Sequence, residues 1–278
     1  MASPLTSEID WTALRDRSVI ITGGASGLDE ATATKFISHG AFVIIADISK
    51  DAGEQLAQQL GQRATFVHCD TTDWTSCAAA FRHCAEFAPS KTIDVVVLFA
   101  GIAGEIKSLV DIALENPAPS LVDGGDPTPA KPVQRSIDIN LSGVYTCAYL
   151  ALHYFRLPAQ NQQQQTFKKS LVLISSIFGY LDGHLNTGYN AAKFGVRGLF
   201  RGLRRDGHKV NARINNIAPS YVFTPMTAAP LGIKEPQQPI GRLGMSLPWA
   251  PIEAVVEGVG RCVVDEQVDG EHDELPRA

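Results

Sequence analysis

The chain has 278 residues, of which 45% are hydrophobic and 19% are charged, and its formal net charge is −5. This length predicts one large domain or two small ones, and the composition is ordinary for a globular protein with a full core. It excludes a disordered chain, a collagen-like chain and a coiled coil. Acidic and basic residues are interspersed, so a nucleic-acid partner, which needs clustered Lys and Arg, is not expected. No run approaches the roughly 20 consecutive apolar residues of a membrane span, so no membrane association is expected.

The start of the chain and its cysteines predict a reduced, cytoplasmic protein. Residues 1–10 are polar and acidic, without the basic and apolar regions of a secretory signal. The five cysteines are odd in number, with neither CxxC spacing nor nearby His in the register of a metal site. We therefore expect free thiols and no metal ion.

Strand-like and helix-like segments alternate along the chain. Short β-branched or apolar runs predict strands at 18–22, 41–47, 64–70, 93–99, 171–175 and 213–218. Segments rich in helix formers predict helices at 28–39, 51–60, 73–87, 133–157, 189–205 and 249–264. Gly40 and Gly61 follow the first two helices and are expected to end them. In the third helix one face is expected to be buried, and it carries Trp74, Cys77, Phe81 and Cys84.

Strict alternation of strands and helices predicts an α/β fold: a single doubly wound, Rossmann-type parallel sheet with helices on both faces. No internal repeat or shift in composition divides the chain, so residues 1–278 are expected to form a single domain. Two polar stretches, 116–132 and 158–166, are predicted to be loop insertions, and 266–278 an irregular tail. Residues 116–132 follow the fourth strand, at the edge where such sheets bind ligands, so we expect them to border a substrate cleft.

The first strand leads into a glycine-rich turn, TGGASGLD at 22–29, which precedes a helix. Such a turn presents backbone N–H groups and the positive end of a helix dipole to a pyrophosphate, although a glycine turn also simply joins a strand to a helix. Asp47 ends the second strand, where a carboxylate binds the hydroxyls of an adenosine ribose and repels a 2′-phosphate. It therefore favours NAD over NADP, with a strand-end turn residue as the alternative. Asp70 ends the third strand and is expected to orient the adenine or to cap the next helix.

Tyr189 and Lys193 are four residues apart in a predicted helix, which places the phenol and the ammonium on one face. A nearby cation lowers the pKa of a tyrosine from about 10 toward neutrality, so the phenol becomes a usable general acid or base. The alternative is a surface pair. Ser176, at the end of the fifth strand, is placed to bond a substrate oxygen, and Asn140 lies mid-helix, an uncommon position for Asn.

These segments together resemble the short-chain dehydrogenases/reductases, and the resemblance extends from residue 19 to about 265. The matching pieces are TGGASG at 22–27, Asp47, CDTTD at 69–73, Ala100-Gly101, Asn140, ISS at 174–176, YNAAK at 189–193 and NNIAPSYVFTPM at 215–226. The overall pattern looks similar to fungal members of the family that act on polyketide intermediates.

The resemblance implies a role for each catalytic residue. Tyr189 would transfer the proton, while Lys193 would lower its pKa and hold the nicotinamide ribose. Ser176 would orient the substrate oxygen, and Asn140 would support Lys193 through a water. The resemblance also implies a nicotinamide dinucleotide held by Gly23, Ser26, Gly27, Leu28, Asp47, Asp70, Thr71, Ala100, Gly101, Tyr189, Lys193, Pro219, Val222 and Thr224. Within this set, residues 219–224 would close on the nicotinamide.

Three positions depart from the family pattern. The glycine motif of the family ends in Gly at the position of Asp29. A carboxylate there takes up room beside a pyrophosphate and adds like-charge repulsion, on the order of 1 kcal/mol or more at an effective dielectric of about 20. Phe99 replaces the Asn that usually precedes Ala-Gly, and Ser220 replaces the Gly that usually follows Pro. These departures affect the predicted strength of cofactor binding more than the predicted chemistry.

The sequence therefore predicts an NAD-dependent oxidoreductase that interconverts a secondary alcohol and a ketone. Four aromatic residues flank the predicted cleft and favour an apolar or aromatic substrate such as a secondary metabolite, although core packing explains them equally; they are Phe178, Tyr180, Tyr221 and Phe223. Asp29 and Phe99 leave open a non-redox cyclase or isomerase with an impaired dinucleotide site. A binding subunit with a vestigial site is the third alternative.

The resemblance further implies a homodimer or homotetramer, formed through the helices that carry Asn140 and Tyr189. Apolar side chains on these helices suit such an interface and suit core packing equally; they are Val144, Leu150, Val196 and Leu199.

Overall fold

The computed structural model describes residues 8–104, 107–119, 128–158, 166–181, 183, 186–235 and 249–270. Its strands are β1 Ser18–Thr22, β2 Phe42–Asp47, β3 Ala64–His68, β4 Val95–Leu98, β5 Lys169–Ile174 and β6 Ala212–Ile217. Its α-helices are α1 Leu28–Ser38, α2 Lys50–Leu60, α3 Trp74–Phe87, α4 Leu109–Leu114, α5 Arg135–Ile137, α6 Val144–Tyr154, α7 Thr187–Leu203, α8 Pro225–Leu231 and α9 Ile252–Val264.

The six strands form one parallel sheet in the order β3-β2-β1-β4-β5-β6. The winding direction reverses between β1 and β4, which is where doubly wound sheets open a crevice for ligands. At that point Thr22 ends β1 beside Ala46 of β2 and Leu98 of β4. The predicted fold class is confirmed.

Helices cover both faces of this sheet because its central strands are buried on both sides. All five residues of β1 are buried, as expected for a parallel strand without a polar face. One face packs against α1 and α9 through Phe36 and Val259. The other packs against α3, α6 and α7 through residues such as Phe81 and Val196. The site at the carboxyl edge of the sheet therefore stands on a rigid, close-packed layer.

The third helix corrects one prediction of burial. Cys77, Phe81 and Cys84 are fully buried, but Trp74 is 54% exposed. Trp74 is the first residue of α3, and its ring lies 6.0 Å from that of Tyr149 on α6. The first turn of α3 thus contacts the neighbouring helix near the surface rather than the sheet.

The long helix predicted at 133–157 is divided into three parts. A π-helical segment, Asp138–Gly143, separates α5 from α6. Such segments are rare and are frequent at functional sites, because they re-aim the side chains that they carry. Here the π-helical segment carries Asn140.

The predicted loops are described only in part. Residues 116–119 and 128–132 contain no helix or strand, and 266–270 form turns and irregular backbone. The rest of the stretches 116–132, 158–166 and 266–278 lies largely outside the described residues. Among the helices that the structure describes, none is long and apolar enough to cross a membrane.

Candidate active site

A cavity opens at the carboxyl edge of the sheet. Its walls come from the turn after β1, the loops after β4 and β5, helix α7 and the segment after β6. Ser176, Tyr189 and Lys193 all line it. Asn140 lies directly behind the wall, because a Cβ placed on Gly101 would be 3.0 Å from the Asn140 Oδ1 atom. The four predicted catalytic residues are therefore brought together, although they come from three separate parts of the chain.

Two glycines shape the turn after β1. Gly23 and Gly27 have φ angles of 79° and 65°, the left-handed region that residues with side chains rarely adopt. A Cβ on Gly23 would lie 2.8 Å from the Cα of Ala100, so the turn approaches the loop after β4 closely only because position 23 lacks a side chain. Ser26 and Leu28 also line the cavity. Because α1 begins at Leu28, its first N–H groups form an end that favours anions.

Asp47 holds this turn from the end of β2. Its Oδ2 atom accepts a hydrogen bond from the Ala25 N–H at 3.2 Å, and its Oδ1 atom accepts one from the Ser49 N–H at 2.7 Å. Both bonds go to backbone N–H groups of nearby turns, as expected for the alternative role of Asp47 as a strand-end turn residue. A carboxylate has about four acceptor sites, so they leave capacity for a ribose diol as well.

Asp29 lies inside the cavity. It is the second residue of α1, and its Oδ2 atom is 3.3 Å from the position that a Cβ on Gly23 would take. Burial and the negative charge of Asp47 raise the pKa of Asp29 well above its ordinary value, while Lys193 and the Asp29 backbone N–H act in the opposite direction. A carboxyl group thus stands among the amide donors of the turn.

Asp70 and Thr71 lie apart from this cavity, against a second one of about 440 Å³. The Asp70 Oδ1 atom accepts hydrogen bonds from the hydroxyl of Thr72 at 2.7 Å and its N–H at 2.9 Å, which lower the pKa of Asp70. The alternative that Asp70 caps the next helix is wrong, because Asp73 is the N-cap of α3. Thr71 packs against the π-helical segment, where a Cβ on Gly143 would lie 2.7 Å from its Oγ1 atom.

Asn140 is fully buried and clamps the loop after β4. Its Oδ1 atom accepts a hydrogen bond from the Ile102 N–H, and its Nδ2 atom donates one to the Ile102 carbonyl, both at 2.8 Å. The clamp fixes Gly101 and Ile102, which line the cavity. This contact explains an amide in the middle of a helix.

Ser176 and Tyr189 line the same cavity. Ser176 follows β5 directly, and its Oγ atom accepts a hydrogen bond from the Phe178 N–H at 3.3 Å, which orients the hydroxyl. Burial raises the pKa of Tyr189, and the Ser176 hydroxyl partly offsets that rise. The predicted lowering of this pKa by Lys193 is wrong for this structure, because desolvation of the phenol dominates.

Lys193 is buried one helical turn beyond Tyr189. Its Nζ atom donates a hydrogen bond to the Ile174 carbonyl at 2.9 Å and lies 5.6 Å from the centre of the Tyr189 ring. Burial lowers the pKa of Lys193 to about 8, although Asp29 acts to raise it. The alternative of a surface pair is therefore wrong, since Lys193 is only 5% exposed.

The segment after β6 closes the cavity over the glycine turn. A Cβ on Gly27 would lie 3.4 Å from Thr224, so the two segments are in contact there. Thr224 is the N-cap of α8, and the Oγ1 atom of Thr227 accepts a hydrogen bond from the Thr224 N–H at 3.0 Å. Pro219 and Val222 line the same wall, and the Pro219 carbonyl accepts a hydrogen bond from the Ile177 N–H at 2.9 Å.

The aromatic residues divide into two groups. Phe178 lies with its ring centre 6.4 Å from that of Tyr189 and 5.7 Å from that of Tyr221. Tyr221 is only 6% exposed, and it and Phe223 pack edge-on against Trp249. Tyr180 instead faces the surface. Phe178 is thus the aromatic residue that brings apolar surface to Tyr189, while the others are explained by packing.

A larger cavity of about 970 Å³ adjoins the first and shares Gly101, Ile102 and Met226 with it. Its further apolar lining comes from Leu109, Ile112, Val133, Ile137 and Ala191. Of the residues described in the stretch 116–132, Pro132 alone is among the lining residues.

Several residues of the site were not found by the sequence analysis. The Ser175 Oγ atom donates a hydrogen bond to the Lys193 carbonyl at 2.9 Å, and the Asn186 Nδ2 atom donates one to the Ala103 carbonyl at 2.5 Å. The first bond joins the loop after β5 to α7, and the second joins the residue before α7 to the loop after β4. Such bonds link residues distant in sequence, so no local pattern indicates them. Helix α8 did have a signal, because Thr224 followed by Pro225 is a typical helix start.

A family model described as short chain dehydrogenase matches residues 17–231. The 5'-hydroxyaverantin dehydrogenase of Dothistroma septosporum is 38% identical over 271 residues, which cover 96% of this chain and 86% of that protein. The NADP-dependent dehydrogenase M3 of Phoma sp. is 30% identical over 265 residues, covering 94% of this chain and 75% of that protein. The expected similarity to fungal members of the family is confirmed.

Among solved structures, the crystal structure of 3-hydroxyacyl-CoA dehydrogenase type-2 from Mycobacterium avium is similar, with a TM-score of 0.69 and 27% identity over 92% of each chain. All three proteins are named as dehydrogenases, so they give no support to the alternative of a cyclase or isomerase.

Proposed function

Because the chain belongs to the short-chain dehydrogenase family, we propose that it is an NAD-dependent dehydrogenase that interconverts a secondary alcohol and a ketone on an apolar small molecule. The observation that carries this proposal is the convergence of Ser176, Tyr189 and Lys193 in one cavity beside a larger apolar one. The similarity to a hydroxyaverantin dehydrogenase supports a secondary metabolite as substrate.

The residues fit a nicotinamide dinucleotide, which the family implies, at all but one point. Gly23 and Gly27 give a turn without side chains in front of the anion-favouring end of α1, and Asp47 retains acceptor sites for a ribose diol. The misfit is Asp29, whose carboxyl group stands in the same cavity. When bound, the dinucleotide supplies or accepts the hydride at its nicotinamide ring.

Asp47 supports the preference for NAD. Two backbone hydrogen bonds fix the Asp47 carboxylate beside the turn, where its negative charge repels the 2′-phosphate of NADP. A relative that is NADP-dependent makes this preference a point to test rather than a property of the family.

Tyr189 transfers the proton in the proposed reaction. Burial raises the pKa of its phenol, so the group carries its proton at neutral pH and can donate it to a ketone oxygen. Ser176, which lines the same cavity, holds that oxygen within reach. In the direction of alcohol oxidation the phenol first loses its own proton to solvent, and the phenolate then receives the proton of the hydroxyl.

Lys193 and Asn140 position the site from behind. Lys193 is anchored on the Ile174 carbonyl and has two further N–H donors, which suits a ribose hydroxyl. Asn140 holds Gly101 and Ile102 in place through its bonds to the Ile102 backbone. We also propose that a water molecule links Asn140 to Lys193.

We also propose a homo-oligomer in the cytoplasm. The predicted interface residues Val144, Leu150 and Val196 are buried within the core. A different surface is free on the same helix, where Tyr145 and Tyr149 are 62% and 57% exposed one turn apart. The cysteines, all buried free thiols, support the reducing compartment.

The proposed function is tested with a panel of apolar secondary alcohols and NAD, followed by the absorbance of reduced nicotinamide. Secondary alcohols are expected to be oxidised, and matched tertiary alcohols are not, because their carbinol carbon has no hydride to give. Turnover without any nicotinamide, or equal turnover of the tertiary alcohols, would contradict the proposal.

A further inference from the structure

Asp29 is an acidic residue in the cavity that the proposed reaction does not use. Its Oδ2 atom lies 3.3 Å from the position of a Cβ on Gly23. Asp29 belongs to the first turn of α1, whose N–H donors have no partner within the helix. The carboxyl group therefore lies beside the donors that the glycine turn offers to a phosphate.

The charged groups around Asp29 come from three elements. Asp47 at the end of β2 is negative and acts against ionisation, whereas Lys193 of α7 favours it. Glu30, the next residue of α1, is exposed to solvent. Burial and Asp47 outweigh Lys193, so the pKa of Asp29 is raised before any ligand enters. An anion in the cavity would raise the pKa of Asp29 further.

A dinucleotide pyrophosphate carries two negative charges at neutral pH. A carboxylate in this cavity cannot move far from the glycine turn, so an ionised Asp29 would repel a pyrophosphate bound there. A neutral carboxylic acid avoids that repulsion and becomes a hydrogen-bond donor, which a phosphate oxygen or ribose hydroxyl accepts.

We propose that the carboxyl group of Asp29 carries a proton whenever the dinucleotide is bound, so that cofactor binding takes up one proton and weakens as the pH rises. This inference rests on the proposed function, because it needs a dinucleotide in the cavity. By linkage, the dissociation constant rises about tenfold per pH unit above the pH at which Asp29 of the free protein ionises, and is flat below it.

The test is calorimetric titration of the full chain with NAD from about pH 6 to about pH 9, in two buffers with different ionisation enthalpies, which reports the protons taken up. Uptake approaching one proton is expected at the upper end of this range. Asp29→Asn keeps the shape of the side chain and is expected to abolish the uptake and bind NAD at least tenfold more tightly there. Asp29→Gly serves as a second variant, and Glu30→Gln, which changes the neighbouring exposed charge, is expected to behave as the unchanged protein. Thermal melting verifies that each variant is folded.

Lys193 is the competing source of a proton, because burial lowers its pKa to about 8 and an anion would raise it again. The two sources respond oppositely to Asp29→Asn. Loss of the Asp29 charge lowers the pKa of Lys193 further, so uptake by Lys193 would persist or grow in the variant. Persistent uptake in Asp29→Asn, or no uptake by the unchanged protein, overturns the inference alone. Absence of NAD binding by every protein at every pH overturns the proposed function together with the inference.

Discussion

The two sides of the cavity are built on different principles. On the side of α7, polar groups are fixed by backbone partners: Asn140 on Ile102, Lys193 on the Ile174 carbonyl and Ser175 on the Lys193 carbonyl. On the side of the glycine turn, the shape depends on missing side chains, and Asp29 places an acidic group in the cavity there. Substitutions on the α7 side should therefore remove function, whereas a substitution at Asp29 should improve cofactor binding.

The largest effect is expected from Tyr189→Phe, which removes the proton-transferring hydroxyl and leaves the ring. Loss of a general acid or base lowers the rate about 10² to 10⁴-fold, and NAD binding should be unchanged. Steady-state turnover and calorimetry measure the two. Tyr180→Phe is the matched control, because Tyr180 is 44% exposed and stacks on Arg197 at the surface. Unchanged turnover in Tyr189→Phe would refute the assigned role.

Asn140→Ala tests the structural support of the α7 side, because it removes the hydrogen bonds to the Ile102 backbone. The Ile102 N–H and carbonyl would both lose their partner in a partly buried site, which lowers the free energy of unfolding by about 1–3 kcal/mol. Chemical denaturation measures this loss. Ser142→Ala, at an exposed position of the same π-helical segment, should change it by less than about 0.5 kcal/mol. Equal effects of the two substitutions would show that the clamp contributes nothing.

Asp47→Asn tests the cofactor preference on the side of the glycine turn. The amide keeps an oxygen that can accept the Ala25 N–H but no longer repels a 2′-phosphate. The ratio of NADP to NAD dissociation constants should fall by about tenfold, which corresponds to about 1.4 kcal/mol. An unaltered ratio would mean that Asp47 serves only as a turn residue.

The pH dependence of ketone reduction tests whether the two sides interact electrostatically. Lys193 is charged below its pKa of about 8 and loses that charge as the pH rises, while Tyr189, whose pKa is raised, keeps its proton. The rate at saturating NADH should therefore fall as the pH passes through about 8. Asp29→Asn should leave the pH of this fall unchanged, because a neutral Asp29 beside bound NADH carries no charge that acts on Lys193. A fall at lower pH in the variant would show that Asp29 is ionised when the cofactor is bound.

The smallest effect is expected from Tyr145→Ser combined with Tyr149→Ser, outside the cavity. Both side chains are more than half exposed, so the free energy of unfolding should change by less than about 0.5 kcal/mol per site. Light scattering should show a smaller mass if this surface joins two copies of the chain. A single-subunit mass for the unchanged protein would contradict the proposed oligomer.

The same contrast separates what the sequence predicts from what it does not. Strand positions and the order of helices follow from apolar runs and glycine stops such as Gly40, which are local signals. Tyr189, Lys193 and Ser176 were found because their spacing is local to one strand end and one helix. The glycine turn was found for the same reason.

Properties that arise from tertiary contact were missed or predicted wrongly. The bond from Ser175 to the Lys193 carbonyl joins two elements, and no spacing indicates it. The direction of the Tyr189 pKa depends on how deeply the phenol is buried, which its spacing from Lys193 does not reveal. Trp74 matched the helical period of a buried face but lies in the first turn of α3, against α6. In each case the deciding partner is distant in sequence.

The central claim is that this chain moves a hydride between a carbinol carbon and nicotinamide. The most direct test uses apolar secondary alcohols deuterated at the carbinol carbon, with NAD, and mass spectrometry of the recovered nicotinamide cofactor. The account predicts reduced cofactor carrying one deuterium, formed by the unchanged protein and strongly slowed in Tyr189→Phe. Product formed with no deuterium on the cofactor would contradict it.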